Sequence, residues 1–189
     1  MRKLAFLVLT ISLLLCGCNG VRTGEETMTK FSEDIALAQK VFAEAEITAD
    51  VGGKAFDFTV NYTKNAEEER VEILAPENIA GISAVIQNGG ASLHYDGLIL
   101  AIGSITQNGI SPMNVLTLAF DAISHGNFSE VRAESDGETE MTAAEYFLTD
   151  IQSVTLYLDE NAVPKYITIS ENGKTVAECK ILSFEIGSE

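Results

Sequence analysis

The sequence predicts a mainly β domain of the α+β class: an antiparallel sheet of about ten strands in hairpin order, interrupted by two long helices. Three observations predict it. Runs such as KAFDFTVNYTK and SVTLYLDE have the residues of a strand, and the first alternates apolar with polar side chains at a period of two. The turn dipeptides Gly52-Gly53, Asp96-Gly97, Asp136-Gly137 and Asn172-Gly173 punctuate such runs. One strongly apolar segment, SPMNVLTLAFDAISHGN, breaks the series with helix start and stop signals.

The elements follow in order. Arg2 and Lys3 precede an uncharged run from Leu4 to Leu15, and the small residues Cys16, Gly17 and Cys18 come next. A positive start, an apolar middle and small residues before a cut make a secretory signal. The run is short of the roughly 20 apolar residues that cross a bilayer. The segment LCGC resembles the lipobox of bacterial lipoproteins, with Leu15 three places before Cys18 and Gly17 directly before it. That resemblance implies cleavage before Cys18 and diacylglycerol on its sulfur. Cys16 fits less well, because Leu15 is bulky for the residue before a cut. A metal pair at Cys16 and Cys18 has no second pair of ligands nearby. The expected organisation is a signal peptide over residues 1–17, a lipidated tether over 18–26 and one domain over 27–189. Such a chain is exported and held by lipid on the outer face of the cell membrane, or in the periplasmic space of a cell with two membranes. Each buried CH₂ of the anchor adds about 0.8 kcal/mol of membrane affinity.

Loss of residues 1–17 leaves Cys18 and Cys179 as the only cysteines. With lipid on Cys18, Cys179 has no partner in the chain, so stability rests on an apolar core rather than on disulfides. Asp and Glu number 28 against 12 Lys and Arg, for a formal net charge of −16. This charge repels nucleic acid and anionic membrane surfaces, and it reads as solubility rather than as a dedicated cation site. Glu67-Glu68-Glu69 reads as a solvated hairpin tip.

Thr23 and Glu26 have the spacing of a capping box, and Met28, Phe31, Ile35, Ala38 and Phe42 form one apolar stripe on the helix that follows. AEITADV then reads as a strand. In KAFDFTVNYTK, Phe56, Phe58, Val60 and Tyr62 share one face. ERVEILAP ends at Pro76, AGISAVIQ is a further strand, and Asn88 to Gly90 is a hairpin turn. ASLHYDGLILAIG gives two short strands around Asp96-Gly97. The second helix has Ser111 at its N-cap, Pro112 at its first position and Gly126 just past its end. Met113, Val115, Leu116, Leu118, Ala119, Phe120, Ala122 and Ile123 nearly encircle it, where a surface helix would show a polar face. ETEMTAAEYFLTD suits either a short helix capped by Thr142 and Glu145 or a continued hairpin. SVTLYLDE is a strand, and KYITIS with KTVAECKILSFEI closes the chain as a hairpin.

The phrases VEILAPENIAGISAVI, LHYDGLIL, SPMNVLTLAF and LDENAVPKYITISENGKTV resemble bacterial lipoproteins with the fold of the Lol lipoprotein carriers (LolA/LolB-type), a group that includes spore-germination lipoproteins. The resemblance covers most of the chain after Cys18. It implies a strongly curved antiparallel open half-barrel with two or three helices on its concave side. It also implies a space between sheet and helical lid that holds acyl chains of a lipid or lipoprotein. In the carriers an arginine holds the lid or meets the cargo head group; here Arg22, Arg70 and Arg132 remain, and none matches that role. Germination relatives act instead through a protein partner.

An apolar site of that kind needs inward aromatic and aliphatic side chains with few polar groups. Phe56, Phe58, Tyr62, Leu98, Leu100, Leu116 and Phe120 are the candidates, and the same residues would equally fill a packed core. The expected partners are a membrane through the N-terminal diacylglycerol, an apolar lipid or acyl-chain ligand, and an envelope protein partner or a homodimer; nucleic acid is excluded by charge. No catalytic residue, cofactor or metal is expected. His94 and His125 are the only histidines, no nucleophile elbow accompanies Ser104 or Ser124, and no metal-ligand spacing occurs. Cys179 should point inward from the last strand as a small hydrophobe.

Overall fold

A computed structural model describes residues 23–51, 53–103, 109–137 and 139–187. Cys18 and its lipobox, Arg22, Gly52 and Ser104 lie outside the described residues. The chain forms α1 (Gly24–Leu37), β1 (Lys40–Val51), β2 (Lys54–Lys64), β3 (Glu69–Ala75), a 3₁₀ turn (Glu77–Ile79), β4 (Ser83–Gln87), β5 (Gly90–Tyr95) and β6 (Leu98–Gly103). It continues with α2 (Val115–Ser124), β7 (Phe128–Ser135), β8 (Glu140–Phe147), β9 (Gln152–Leu158), β10 (Pro164–Glu171) and β11 (Lys174–Gly187).

All eleven strands join one antiparallel sheet in the order β6-β5-β4-β3-β2-β1-β11-β10-β9-β8-β7. The sheet is open, with β6 and β7 at its two edges. Its curvature follows from what α2 touches: β3 on one side, β8 and β10 on the other. Neighbouring strands lie about 4.8 Å apart and a helix is only about 10 Å wide, so a flat sheet could not bring β3 and β8 to one helix. The sheet therefore wraps around the helices. The mainly β half-barrel that the sequence predicts is the fold observed.

Side-chain alternation sets the concave face. Val41, Ala43, Ala45, Ile47 and Ala49 of β1 are all buried, and the three alanines let the helices approach the middle of the sheet. Beside them, β11 turns Ala177, Cys179 and Ile181 inward. A register shift at Glu44/Ala45 adds one residue to β11 and brings Phe184, rather than Ser183, toward the core. There Phe184 stacks on Phe120 with centroids 5.8 Å apart and meets Phe31 at 5.7 Å. From α1, Met28, Phe31 and Ile35 are buried in the same cluster, and Ser32 is buried on the same helix.

Helix starts and turns obey local chemistry. Thr23 caps α1: its Oγ1 accepts from the Glu26 N–H at 3.3 Å, and the Glu26 carboxylate accepts from the Thr23 N–H at 3.1 Å. Residues 24–26 are therefore helical, and of the expected tether only residues 18–23 precede the helix. The turns at Asn88-Gly89, Asp96-Gly97 and Asn172-Gly173 have positive φ at both residues, 52° and 76°, 47° and 77°, 51° and 75°. That is the conformation whose twist matches an antiparallel hairpin, and Asn-Gly and Asp-Gly adopt it at least cost.

Three local expectations are corrected and one open alternative is decided. The first helix stops at Leu37 instead of carrying its apolar stripe on to Phe42. From Lys40 the apolar residues recur every second position, and pairing on both sides of β1 outweighs the helical stripe that Ala38 and Phe42 suggested. The second helix begins at Val115 with Asn114 at its N-cap, not at Pro112. Ser111 to Asn114 form a turn instead, in which Asn114 Oδ1 accepts from the Ser111 N–H at 2.8 Å and its amide donates to the Gly109 carbonyl at 2.7 Å. Of the two alternatives for ETEMTAAEYFLTD the continued hairpin is the one observed: it is strand β8, because Met141, Ala143 and Tyr146 bury on a sheet between two neighbours. The Glu67-Glu68-Glu69 tip is not simply solvated. Glu68 pairs with Arg70 at 3.1 Å and Glu69 with Lys64 at 3.3 Å, over an Asn65 side chain that accepts from the N–H groups of Glu67 and Glu68.

Candidate functional site

The concave face has two parts. Under the helices it is closed: Tyr62, Leu116 and Phe120 have no more than 1% of their surface exposed. The Tyr62 and Phe120 rings lie 5.0 Å apart, and the contact continues through Phe184 to Phe31, so aromatic rings link β2, α2, β11 and α1. The Tyr62 hydroxyl makes no hydrogen bond of normal geometry among the described residues. Burial first, then the Glu69 carboxylate near it, pushes its pKa upward. Phe58 is half-buried against the same core and borders a depression of about 400 Å³ with Ile47, Thr59 and Pro76.

Toward β6 the concave face is bare. Pairing of Ala84 with Leu93, and of Leu93 with Leu100, puts Leu93, Tyr95, Leu98 and Leu100 on one face of the limb formed by β4, β5 and β6. Leu98 is 72% exposed and Leu100 64%. Beside them on the same face, among the described residues, is a small cluster, Ala84 and Ala91 with Ile86, Leu93, Ile102 and Met113. Phe56 stands apart at the far end of β2, exposed.

The seven candidate residues thus divide. Tyr62, Leu116 and Phe120 meet in the closed core with Phe58 at its margin, Leu98 and Leu100 share the bare limb, and Phe56 joins neither group. Sequence reasoning missed Ile99, which is 69% exposed on the opposite, convex face of the same hairpin. The signal was present in Leu98-Ile99-Leu100-Ala101-Ile102, which does not alternate. A strand with one wet face would alternate; this one is apolar on both. A second signal is charge. Between Glu77 and Asp121 the sole residue of the Asp, Glu, Lys and Arg set is Asp96.

Comparison with known proteins concerns the fold. No family model matches the sequence, and no curated protein matches it. An uncharacterized conserved protein from Thermus thermophilus superposes with a TM-score of 0.50 at 13% identity, over 85% of this chain and 86% of that one. A DUF1329 family protein from Desulfovibrio piger gives 0.50 at 9% identity, over 86% and 91%. A LolA superfamily protein from Nitrosomonas europaea gives 0.49 at 10% identity, over 89% and 96%. These likenesses are of fold alone: an open antiparallel sheet wrapped around helices.

Within this half-barrel both described arginines point away from the helices. Arg70 sits between the inward Val71 and the turn, and it pairs with Glu68 and donates to Ser83 Oγ at 3.1 Å. Arg132 pairs with Glu134 along β7. Neither reaches α2 to hold it as a lid. His94 shares a hydrogen bond of 2.8 Å with Ser92 on β5, whereas His125 at the end of α2 contacts the Asp121 carbonyl at 2.7 Å. Ser124 Oγ donates to that same carbonyl, so no histidine activates it. Among the described residues no group of three or more His, Cys, Asp or Glu is placed to hold a metal ion, and no helix is long and apolar enough to cross a membrane. Cys179 is fully buried, and desolvation, followed by Glu178, pushes its thiol pKa upward; a protonated thiol is a poor nucleophile.

Proposed function

We propose that this protein is an exported lipoprotein, anchored through diacylglycerol on Cys18, that binds an acyl chain of a lipid or lipoprotein without catalysing a reaction. The acyl chain lies on the bare limb, against Leu93, Tyr95, Leu98 and Leu100. One observation carries the reading: Leu98 and Leu100 are open on the concave face while Tyr62, Leu116 and Phe120 are sealed. An acyl chain needs apolar contact and no hydrogen bonds, and burial of aliphatic side chains under it stabilises by about 25 cal/mol per Å². Phe56 plays no part in this site, and the sealed residues belong to the neighbouring closed core.

A second reading is favoured by Ile99, whose convex exposure an acyl chain on the concave face leaves untouched. There the half-barrel is a platform for an envelope or spore-cortex protein.

Native mass spectrometry of chain prepared without detergent tests the two. Lipid adducts that vanish in a Leu98→Ser/Leu100→Ser variant of unchanged circular dichroism support acyl binding. Absence of adducts after incubation with diacylglycerol-bearing lipopeptide overturns it. The anchor is tested separately: Cys18→Ser should release the protein from the membrane fraction.

A further inference from the structure

Strand β6 closes one end of the sheet, and no strand among the described residues pairs with its outer side. The two-residue turn Asp96-Gly97 fixes which backbone groups face out. Tyr95–Leu98, and two residues on Leu93–Leu100, are the hydrogen-bonded pairs of the hairpin. The N–H and C=O of Ile99 and Ala101 therefore point away from β5, into the open. Such an edge is a template for another strand. The opposite edge, β7, is guarded by Glu130, Arg132 and Glu134 along its length. On β6 no charge and no proline stands between Leu98 and Gly103, and Leu98, Ile99 and Leu100 are 72%, 69% and 64% exposed.

Charge and register select the partner. The chain carries a formal net charge of −16, so a second copy is repelled from most directions. The limb is different, because Asp96 is its one charge between Glu77 and Asp121. The edge is also complementary to itself. In an antiparallel pair of β6 strands centred on Leu100, Ile99 of each copy lies opposite Ala101 of the other. These are the two residues whose outward backbone groups have no partner strand among the described residues, and they become the hydrogen-bonded pairs.

We propose that two copies join β6 to β6 across a two-fold axis at Leu100, making one continuous sheet from two half-barrels. Leu100 then faces Leu100 and Leu98 faces Ile102 of the other copy, which doubles the apolar floor of the bare limb. The pairing rests on the backbone of the edge and stands apart from the ligand reading.

The test uses the full mature chain with Cys18→Ser, so that no detergent is needed. Sedimentation equilibrium should give twice the monomer mass. Ile99→Pro removes an outward N–H on each copy while sparing the bonds to β5, and should weaken association at least about tenfold, or about 1.4 kcal/mol. Leu100→Cys should cross-link under mild oxidation, since opposed residues of a non-hydrogen-bonded pair have Cα atoms about 4.5 Å apart, within disulfide reach. Ile99→Cys should not. A monomer at every concentration overturns the pairing, as does cross-linking at 99 in preference to 100; should Ile99→Pro fail to fold, the two cysteine variants still decide. A monomer that takes up lipid sinks the pairing alone, and a dimer that takes up none sinks the ligand reading alone.

Discussion

Ser32 on α1 and Tyr146 on β8 share a hydrogen bond of 3.0 Å between two buried hydroxyls. It fastens the first helix to the concave face at a point that water does not reach. Met28 Sδ lies 3.9 Å from the same tyrosine oxygen, and Phe128 meets the ring edge-on at 5.6 Å. Removing either hydroxyl leaves the other buried with a poorer partner. Tyr146→Phe and Ser32→Ala should each cost about 1–3 kcal/mol of unfolding free energy, and the double variant clearly less than their sum. Urea titrations of the four proteins measure this; strict additivity would show that the bond contributes nothing of its own.

The two parts of the concave face should respond differently to substitution. Phe120→Ala empties a site that three other aromatic rings depend on directly or in series, and should cost about 3–5 kcal/mol. Leu100→Ser touches an exposed side chain, and should change stability by no more than about 0.5 kcal/mol. Thermal and urea denaturation separate them. Equal losses would mean that the limb is packed in solution.

Much of this division could be read in the residues, and the part that could not has a physical cause. The apolar girdle of α2 required burial on nearly every side, and the enclosed Leu116 and Phe120 follow from it. Period-two runs and Asn-Gly or Asp-Gly turns specified hairpins, and hairpins of neighbours account for every pairing except the one between β1 and β11. That pairing is long-range, and local pattern carries no trace of it. It also explains why Ala38 to Phe42 looked helical: the same residues suit both periods, and partners on both flanks decide. Phe56 and Leu98 looked equivalent to Tyr62 because strand alternation gives the face of a side chain, not how far the covering helices extend.

Alkaline pH should destabilise the fold. Cys179 and Tyr62 both have their pKa raised by burial, above ordinary values of 9.0 and 10.0. Below those values both groups are protonated in either state and stability does not change with pH on their account. Above them the unfolded chain releases protons that the native chain keeps, so stability falls as pH rises. Melting temperature should hold to about pH 8.5 and then decline, with a shallower decline in Cys179→Ala and in Tyr62→Phe. An unchanged slope in both variants would place the effect elsewhere.

Asp159 organises the connection from β9 to β10. Its Oδ1 accepts from the N–H groups of Asn161 and Val163, each at 2.9 Å, and its Oδ2 pairs with Lys165 at 3.2 Å. Burial works to raise its pKa, but the hydrogen bonds from Val163, Lys165 and Asn161 outweigh it and the net shift is downward. The stabilisation is therefore present above the ordinary carboxylate value and lost as pH falls through the lower native one. Asp159→Ala should cost about 1–2 kcal/mol at neutral pH and less in acid, once pH has fallen below the lowered native pKa. Denaturation midpoints measured at neutral pH and across the acid range test the difference.

The seam between β1 and β11 runs from Lys40 opposite Gly187 to Ala49 opposite Ala177. Each wing of the sheet is a meander of sequence neighbours, yet the middle is made from the two extremes of the domain. A growing chain therefore owns both wings before it owns the strand that joins them. Until β11 leaves the ribosome the two wings have no seam, and a copy cut short ahead of Lys174 should be cleared by proteases as two raw-edged halves.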